Sequence, residues 1–390
     1  MGALQRINDI LMGLISVERR IDPYFRNAFN SFFQSPLSSL VQSLINLTRP
    51  DWHLALGEER ILADEDSLTD TIIEQMSEFT REHYPNGGAL RAGNTKTYGV
   101  VRGEFEILPG LADELRQGVF SSPRTFPAWV RFAGPGPLAP PDMDDNGILS
   151  IGIKLIGVDG PKLIDDEKHT QDFTGISCPT FTTPNVAANA KLQRHIRQGT
   201  PVFYFLNPFD SHYRDAIMQG LYARANTSPL EVKYYSCVPY LFGTGRAAKY
   251  SIQPCSGERS KIPWNAPANY LRQAMTATLD RKDVEFDFLV QFQTDAWRMP
   301  IEDASVRWPE KLSPFVPVAK LRIPMQKFDS PAQLEFAGNL SYNPWHAIAE
   351  HRPLGNQNRA RKRIYLQMSK LRQGINRQQR IEPMGEEQFE

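Results

Sequence analysis

Arg361 and Tyr365 stand four residues apart in a stretch, Arg359 to Arg372, that sets Ala360, Ile364, Met368 and Leu371 along one helical face. Side chains at i and i+4 of a helix meet. A guanidinium beside a phenol favours the phenolate, and an anionic tyrosine is one of the ligands that haem iron accepts. Taken alone, the pair is weak, since Arg-x-x-x-Tyr often arises by chance, and it reads better as a surface hydrogen bond. Other constellations carry less. Of the seven histidines, His346 and His351 lie closest together, but five residues apart and flanked by Pro344 and Pro353 they make a poor zinc site. Cys178, Cys237 and Cys255 form no C-x-x-C. The sequence has no G-x-S-x-G elbow, P-loop or H-E-x-x-H, and Gly134-Pro135-Gly136 lacks the third glycine of a dinucleotide fingerprint.

The elements that must position these residues change character along the chain. Residues 1–60 predict a helical arm, with Leu4, Ile7, Leu11 and Leu14 at helical spacing and a second apolar run from Leu37 to Leu47 that ends at Pro50. Such an arm packs on the main domain, on another subunit or on a lipid surface. Asp66–Arg81 predicts a further helix, N-capped by Asp64 or Asp66. From Thr97 the pattern turns to strands: Tyr98–Ile107, Ala128–Phe132, Leu149–Val158, Lys233–Leu241, Lys249–Pro254, Glu285–Thr294 and Val318–Pro324. Between them, Pro135–Asp145 holds four prolines and three aspartates, which predicts an irregular loop. Helices are expected near 186–199, 210–225 and 265–280, and again at Arg359–Arg372. Strands without regular βαβ alternation argue for an α+β protein built on a closed antiparallel β-barrel with helical insertions. Gln373–Glu390 is polar and reads as a tail or linker, so the expected division is 1–60, 61–372 and 373–390.

Composition sets bounds. Lys plus Arg equals Asp plus Glu, 44 against 44, which gives no electrostatic case for a nucleic-acid partner. The sparse, odd cysteine count suits a reducing compartment. No signal-peptide pattern and no run of 18 apolar residues occurs, so a cytoplasmic protein without a transmembrane segment is expected, with peripheral lipid contact and self-association left open.

Context raises the weight of the Arg361–Tyr365 pair. Asn343-Pro344-Trp345-His346, Glu350-His351-Arg352-Pro353-Leu354-Gly355, Asn358-Arg359-Ala360-Arg361 and Tyr365 closely resemble the proximal segment of small catalase-related haem proteins. The resemblance continues in Arg91 to Phe105, in Trp129-Val130-Arg131-Phe132, in Ile151 to Val158 and in Asp172-Phe173 through Pro179 and Phe181, covering roughly residues 88–372. It implies a catalase-like barrel of about eight strands with a C-terminal proximal helix. It also implies haem b as cofactor, with Tyr365 as the iron ligand, Arg361 as its charge partner, and Arg91, Arg131 and Arg372 holding the propionates. Bidentate arginine suits such carboxylates.

Two positions depart from true catalases. The distal histidine aligns with Asn94, and the distal asparagine falls near Ser177, beside Cys178. A carboxamide cannot shuttle a proton as imidazole does, and lost general acid–base assistance typically costs about 100- to 10,000-fold. Low catalase activity is therefore expected. What remains is the chemistry of the branch that resembles allene oxide synthases, in which polyunsaturated fatty-acid hydroperoxides are isomerised or dehydrated to epoxides or allene oxides after O–O cleavage, with a lipoxygenase as supplier of the hydroperoxide. Two other readings stand beside it: a catalase or peroxidase using Tyr98 or an Asn94-held water as proton carrier, and a non-enzymatic haem protein. Strand alternation puts Asn94 and Lys96 on one face and Thr95 and Thr97 on the other.

Overall fold

In the computed structural model, which describes residues 2–389, the period-two segments pair into one closed antiparallel sheet. The chain opens with helices α1 (Ala3–Phe29) and α2 (Ser35–Thr48), joined through a π-helical turn at Asn30–Gln34, and then α3 (Glu65–His83). Strands β1 (Thr97–Ile107), β2 (Thr125–Ala133), β3 (Ser150–Ile156) and β4 (Thr170–Ile176) follow, then helices α4 (Val186–Arg197), α5 (Pro201–Leu206) and α6 (Tyr213–Tyr222). The second half contains β5 (Tyr234–Tyr235), β6 (Tyr240–Leu241), β7 (Ala247–Pro254), α7 (Tyr270–Leu279), β8 (Val284–Phe292), β9 (Val316–Ile323), α8 (Pro331–Asn339) and α9 (Asn356–Asn376). The strand order is β5-β4-β3-β2-β1-β9-β8-β7, and β5 pairs back onto β7, so eight strands close a barrel. The short β6 pairs with β7 farther along the same edge that β5 uses, opposite β8. Closure removes the exposed edges that an open sheet of this size would carry. The expected α+β barrel with helical insertions is the observed architecture.

Alternation decides what the barrel encloses. Val130 and Phe132 of β2, Ile151 and Ile153 of β3, and Phe173 of β4 point into one core, with Phe105, Phe120, Phe286 and Phe288. The rings of Phe105, Phe173 and Phe288 stack and cross at centroid distances of 5.0–6.0 Å. Each such side chain contributes about 1.5–3 kcal/mol of transfer free energy when fully buried. His351 lies among these rings, beside Phe120, Phe173 and Phe242, and accepts a hydrogen bond from the Val119 amide at 3.1 Å. Burial pushes its pKa down to about 4, so it is neutral. The barrel is thus filled, and any sizeable ligand must bind outside it.

The outward face of β1–β4 carries the polar chemistry. Arg131, Gly152 and Thr174 are cross-strand neighbours there. Tyr342 crosses this face so closely that a Cβ on Gly152 would stand 2.8 Å from its ring. Below it, buried Lys154 bonds to Asp172 at 2.7 Å and to Glu167. His346 reaches Asp172 at 2.7 Å. The ligating atoms of Glu167, Asp172 and His346 cluster as metal ligands do, but the Lys154 ammonium stands among them and neutralises the carboxylates. The cluster ties β3 and β4 to the segment before α9, and breaking such a buried pair typically costs about 3–5 kcal/mol.

Several expectations need correction. The strand expected over Lys233–Leu241 is two short pieces, because Cys237 adopts a left-handed φ of 61° between them. β4 was not expected as a strand: its Thr170, Gln171 and Asp172 are polar, yet they are buried against partners such as Lys154 and the Ile348 amide. Helix α7 starts at Tyr270 rather than near 265, as Pro267 just before it disfavours helical geometry in the preceding residue. The polar C-terminal stretch does not hang free. α9 runs to Asn376, Glu387 accepts from Trp129 Nε1 at 2.9 Å, and Phe389 packs on Trp129 and Phe336. One aromatic anchor and a few charges override its polar composition.

Candidate functional site

A cavity of about 360 Å³ lies outside the barrel, between the outward face of β2–β4 and helices α3, α4 and α9. α3 and α9 pack through Ile72, Ala360, Ile364 and Met368, the apolar stripes that their 3.6-residue period predicts. Those stripes place Ile72, Met76, Ile364 and Met368 on the cavity wall. The same wall carries Asn94, Arg91, Arg131, Arg361, Tyr365 and Arg372. Residues drawn from a loop, a strand and a distant helix thus converge on one apolar chamber.

At one end, three arginines gather without an acid. Arg131 donates to Asn94 O at 2.6 Å and to Thr97 Oγ1 at 2.8 Å. Arg91 donates to Ala337 O at 2.9 Å and to Leu340 O, and Arg372 to Gly338 O and, at 3.2 Å, to Leu340 O. Burial pushes Arg91 down to about 10 and Arg372 down to about 8, and it lowers Arg131 well below its ordinary value, with Arg91 and Arg372 adding repulsion. None of the three forms an ion pair among the described residues. Concentrated, desolvated and unpaired positive charge is a strained arrangement in the absence of an anion. Two carboxylates at this end would relieve it.

Along α9, Arg361 is buried as well. Its guanidinium stands 4.9 Å from the Phe181 ring centroid and 6.0 Å from that of Tyr365, and it bonds to Asn358 Oδ1 at 3.1 Å. Burial alone would lower its pKa, but the phenols of Tyr365, Tyr240 and Tyr250 and the Cys237 thiol outweigh that and hold it above its ordinary value. No carboxylate pairs with Arg361 among the described residues. A Tyr365 phenolate would be its natural counter-charge.

Asn94 also lines the cavity, but not as expected. It precedes β1 in a left-handed turn with φ 47°, and its amide bonds to Pro135 O at 3.3 Å. A bulge at Thr97–Gly99 then resets the alternation. Thr97 consequently turns toward Arg131, and Lys96 leaves to hold Asp142 at 2.7 Å. Ser177 is a correction: it is not on the cavity wall, and its hydroxyl accepts from the Leu149 amide at 2.8 Å, extending the β3–β4 pairing. Tyr98 is no proton carrier for this cavity either. It is buried in the barrel core, and burial raises its pKa far above neutrality.

Among the wall residues that sequence reasoning missed are Cys237 and Arg380. Cys237, in its left-handed conformation, lines the cavity near Arg361, its thiol raised by burial and donating to Cys178 O at 2.9 Å. Arg380 enters from the C-terminal stretch and bonds to Asp166 at 2.5 Å and Glu167 at 2.9 Å. No local signal marks either one: each lies in an unpatterned segment. His346 and His351 go to separate places, and no histidine is among the described residues on the cavity wall.

No family model matches this sequence, and no curated protein does. Solved structures do. A bacterial catalase matches over 83% of this chain at 15% identity with a TM-score of 0.57, a fungal catalase over 84% at 16% and 0.58, and catalase A from Saccharomyces cerevisiae over 84% at 16% and 0.59. The chain spans 64%, 68% and 70% of those three proteins. None of the helices is long and apolar enough among the described residues to cross a membrane. With its barrel closed by eight strands and a Tyr365-bearing helix beside the outer wall, this chain has the catalase-like fold.

Proposed function

We propose that this chain binds haem b in the cavity beside α9 and uses it to isomerise or dehydrate polyunsaturated fatty-acid hydroperoxides, with little activity on hydrogen peroxide. The observation that carries the reading is the pairing of two features in one apolar chamber: unpaired arginines at the positions a tyrosinate and two propionates would neutralise, and no imidazole on the wall. Arg91, Arg131 and Arg372 would hold the propionates, and the Tyr365 oxygen would bind the iron, with Arg361 as the charge partner of that ligand. A ferric haem so held supplies one-electron cleavage of a peroxide O–O bond. Asn94 offers hydrogen bonds to a hydroperoxide without giving or taking a proton. Ile72, Met76, Ile364 and Met368 exclude water, and an alkyl chain gains about 0.8 kcal/mol per CH₂ buried.

The catalase-like fold favours a second reading, turnover of hydrogen peroxide itself. The two separate in one experiment on the purified haem-loaded protein. The proposed reading expects rapid loss of conjugated-diene absorbance with a linoleate or linolenate hydroperoxide and slow oxygen release from hydrogen peroxide; fast gas evolution with inert lipid hydroperoxide reverses the order. The propionate assignment has its own check. Arg372→Met should weaken haem affinity about tenfold to a hundredfold, the roughly 1.5–3 kcal/mol of a charge-assisted hydrogen bond, while the haem-free protein melts within a few degrees of the parent. Unchanged haem titration would remove Arg372 from the site.

A further inference from the structure

The first helix docks the wrong way round for a water-soluble arm. Apart from Phe29, which packs on the Val41–Met218 cluster at its end, its inward contacts are polar: Asn8 accepts from the Val202 amide at 3.1 Å, Asp22 from the Ala225 amide at 2.8 Å, and Arg26 donates to Gly220 O at 3.3 Å. Its apolar face points to solvent. Ile7, Ile10, Leu14, Val17, Ile21 and Tyr24 are all exposed, Ile10 by 65% and Leu14 by 61%. They follow a three–four alternation, the 3.5-residue period of a coiled-coil seam. The charged Arg6, Asp9 and Arg20 lie beside this stripe, not in it.

The stripe continues beyond the π turn. Asn30, Gln34 and Ser35 keep right-handed helical geometry, so α1, the π turn and α2 form one continuous helix. Phe33, Leu37, Leu40, Leu44 and Leu47 repeat the three–four spacing and are exposed, while Val41 and Ile45 pack on Met218, Leu221 and Val306. A π turn bonds i to i+5 and rotates less per residue than an α turn. That lag swings the exposed leucines of α2 round toward the stripe of α1. The eleven stripe residues expose roughly 1,200 Å², taking roughly 200 Å² for a fully exposed large side chain. One partner of a standard protein interface contributes about 800 Å².

We propose that this stripe is the seam of a parallel helix pair with a second copy of this chain. The area suffices for a stable dimer. The 3.5-residue period fits a partner helix, with exposed Leu4, Ile15, Phe25 and Phe32 widening the face around the seam, and the break in period at Asn30–Gln34 matters little if the partner carries the same break at the same height, as a parallel copy does. A bilayer is the less suited occupant: α2 carries no charge, α1 sets four arginines against three acids, and the whole chain is neutral, so no basic rim attracts a lipid surface.

Sedimentation of the full chain at tens of micromolar tests this. The expected parent species has twice the 44.3 kDa chain mass, and I10E/I21E, which touches only the seam, returns a single-chain mass with the parent melting temperature. In a Cys255→Ser background, where Cys178 and Cys237 stay buried, Leu14→Cys should form a covalent dimer on mild oxidation, because equivalent seam positions face each other only in a parallel pair. A parent that sediments as a single chain overturns the proposal, and one that is single in buffer but floats with phosphatidylcholine vesicles assigns the face to lipid instead. A dimer that the Leu14→Cys variant does not cross-link overturns the parallel seam.

Discussion

Tyr365→Phe is expected to emerge from haem-replete cells almost colourless, with at least a hundredfold loss of haem affinity. The ring itself packs against the α3–α9 core, and phenylalanine keeps that packing. Only the oxygen is lost. The cavity wall offers no imidazole to replace it, and burial keeps the Cys237 thiol protonated and so a poor ligand. The variant also leaves Arg361 buried without any anion, the costliest state of a charge in a protein interior. Soret absorbance per polypeptide is the measurement, and the melting temperature of the haem-free protein is the control for folding, expected within the small change of a conservative substitution. Full haem content in the variant would show that iron is held elsewhere, and the proposed function would fall with it.

Asn94→His should raise oxygen release from hydrogen peroxide by about 100-fold or more, the range that a positioned general acid–base contributes. Histidine suits the position. Asn94 has φ 47°, a left-handed conformation in which asparagine, aspartate and histidine are the tolerated side chains. The bond from Arg131 is to the backbone oxygen of Asn94, so the anchor survives the substitution. An oxygen electrode on haem-matched samples reads the result. Unchanged gas release at full haem content would mean that the side chain at 94 does not face the peroxide, and that the low hydrogen-peroxide activity has another cause.

These two positions mark the limits of what a sequence carries. The Arg361–Tyr365 pairing rests on helical spacing alone and is legible without coordinates. So is the outward face of Arg131, because Val130 and Phe132 on either side belong to the core. Asn94 was legible as a type, not as a direction. A two-residue period assigned Thr97 to the opposite face, but the left-handed turn at 94 and the bulge after Thr97 break that period. Ser177 failed for a related reason: a hydroxyl near the end of a strand is equally able to face a ligand or to satisfy a neighbouring amide, and here Leu149 claims it.

The short-range periods of this sequence determined its helices, most of its strands and the closed barrel they make, because hydrophobic spacing acts within a few residues and states which face must be dry. Only the folded chain decided which charges would be stranded together. Arg91, Arg131 and Arg372 are far apart in sequence, and their repulsion exists only after the barrel closes and α9 lies on its outer wall. The same holds for the N-terminal stripe: its period is written in residues 7–28, but whether it faced the body or the solvent depended on polar bonds to Val202, Gly220 and Ala225 that no local pattern announces.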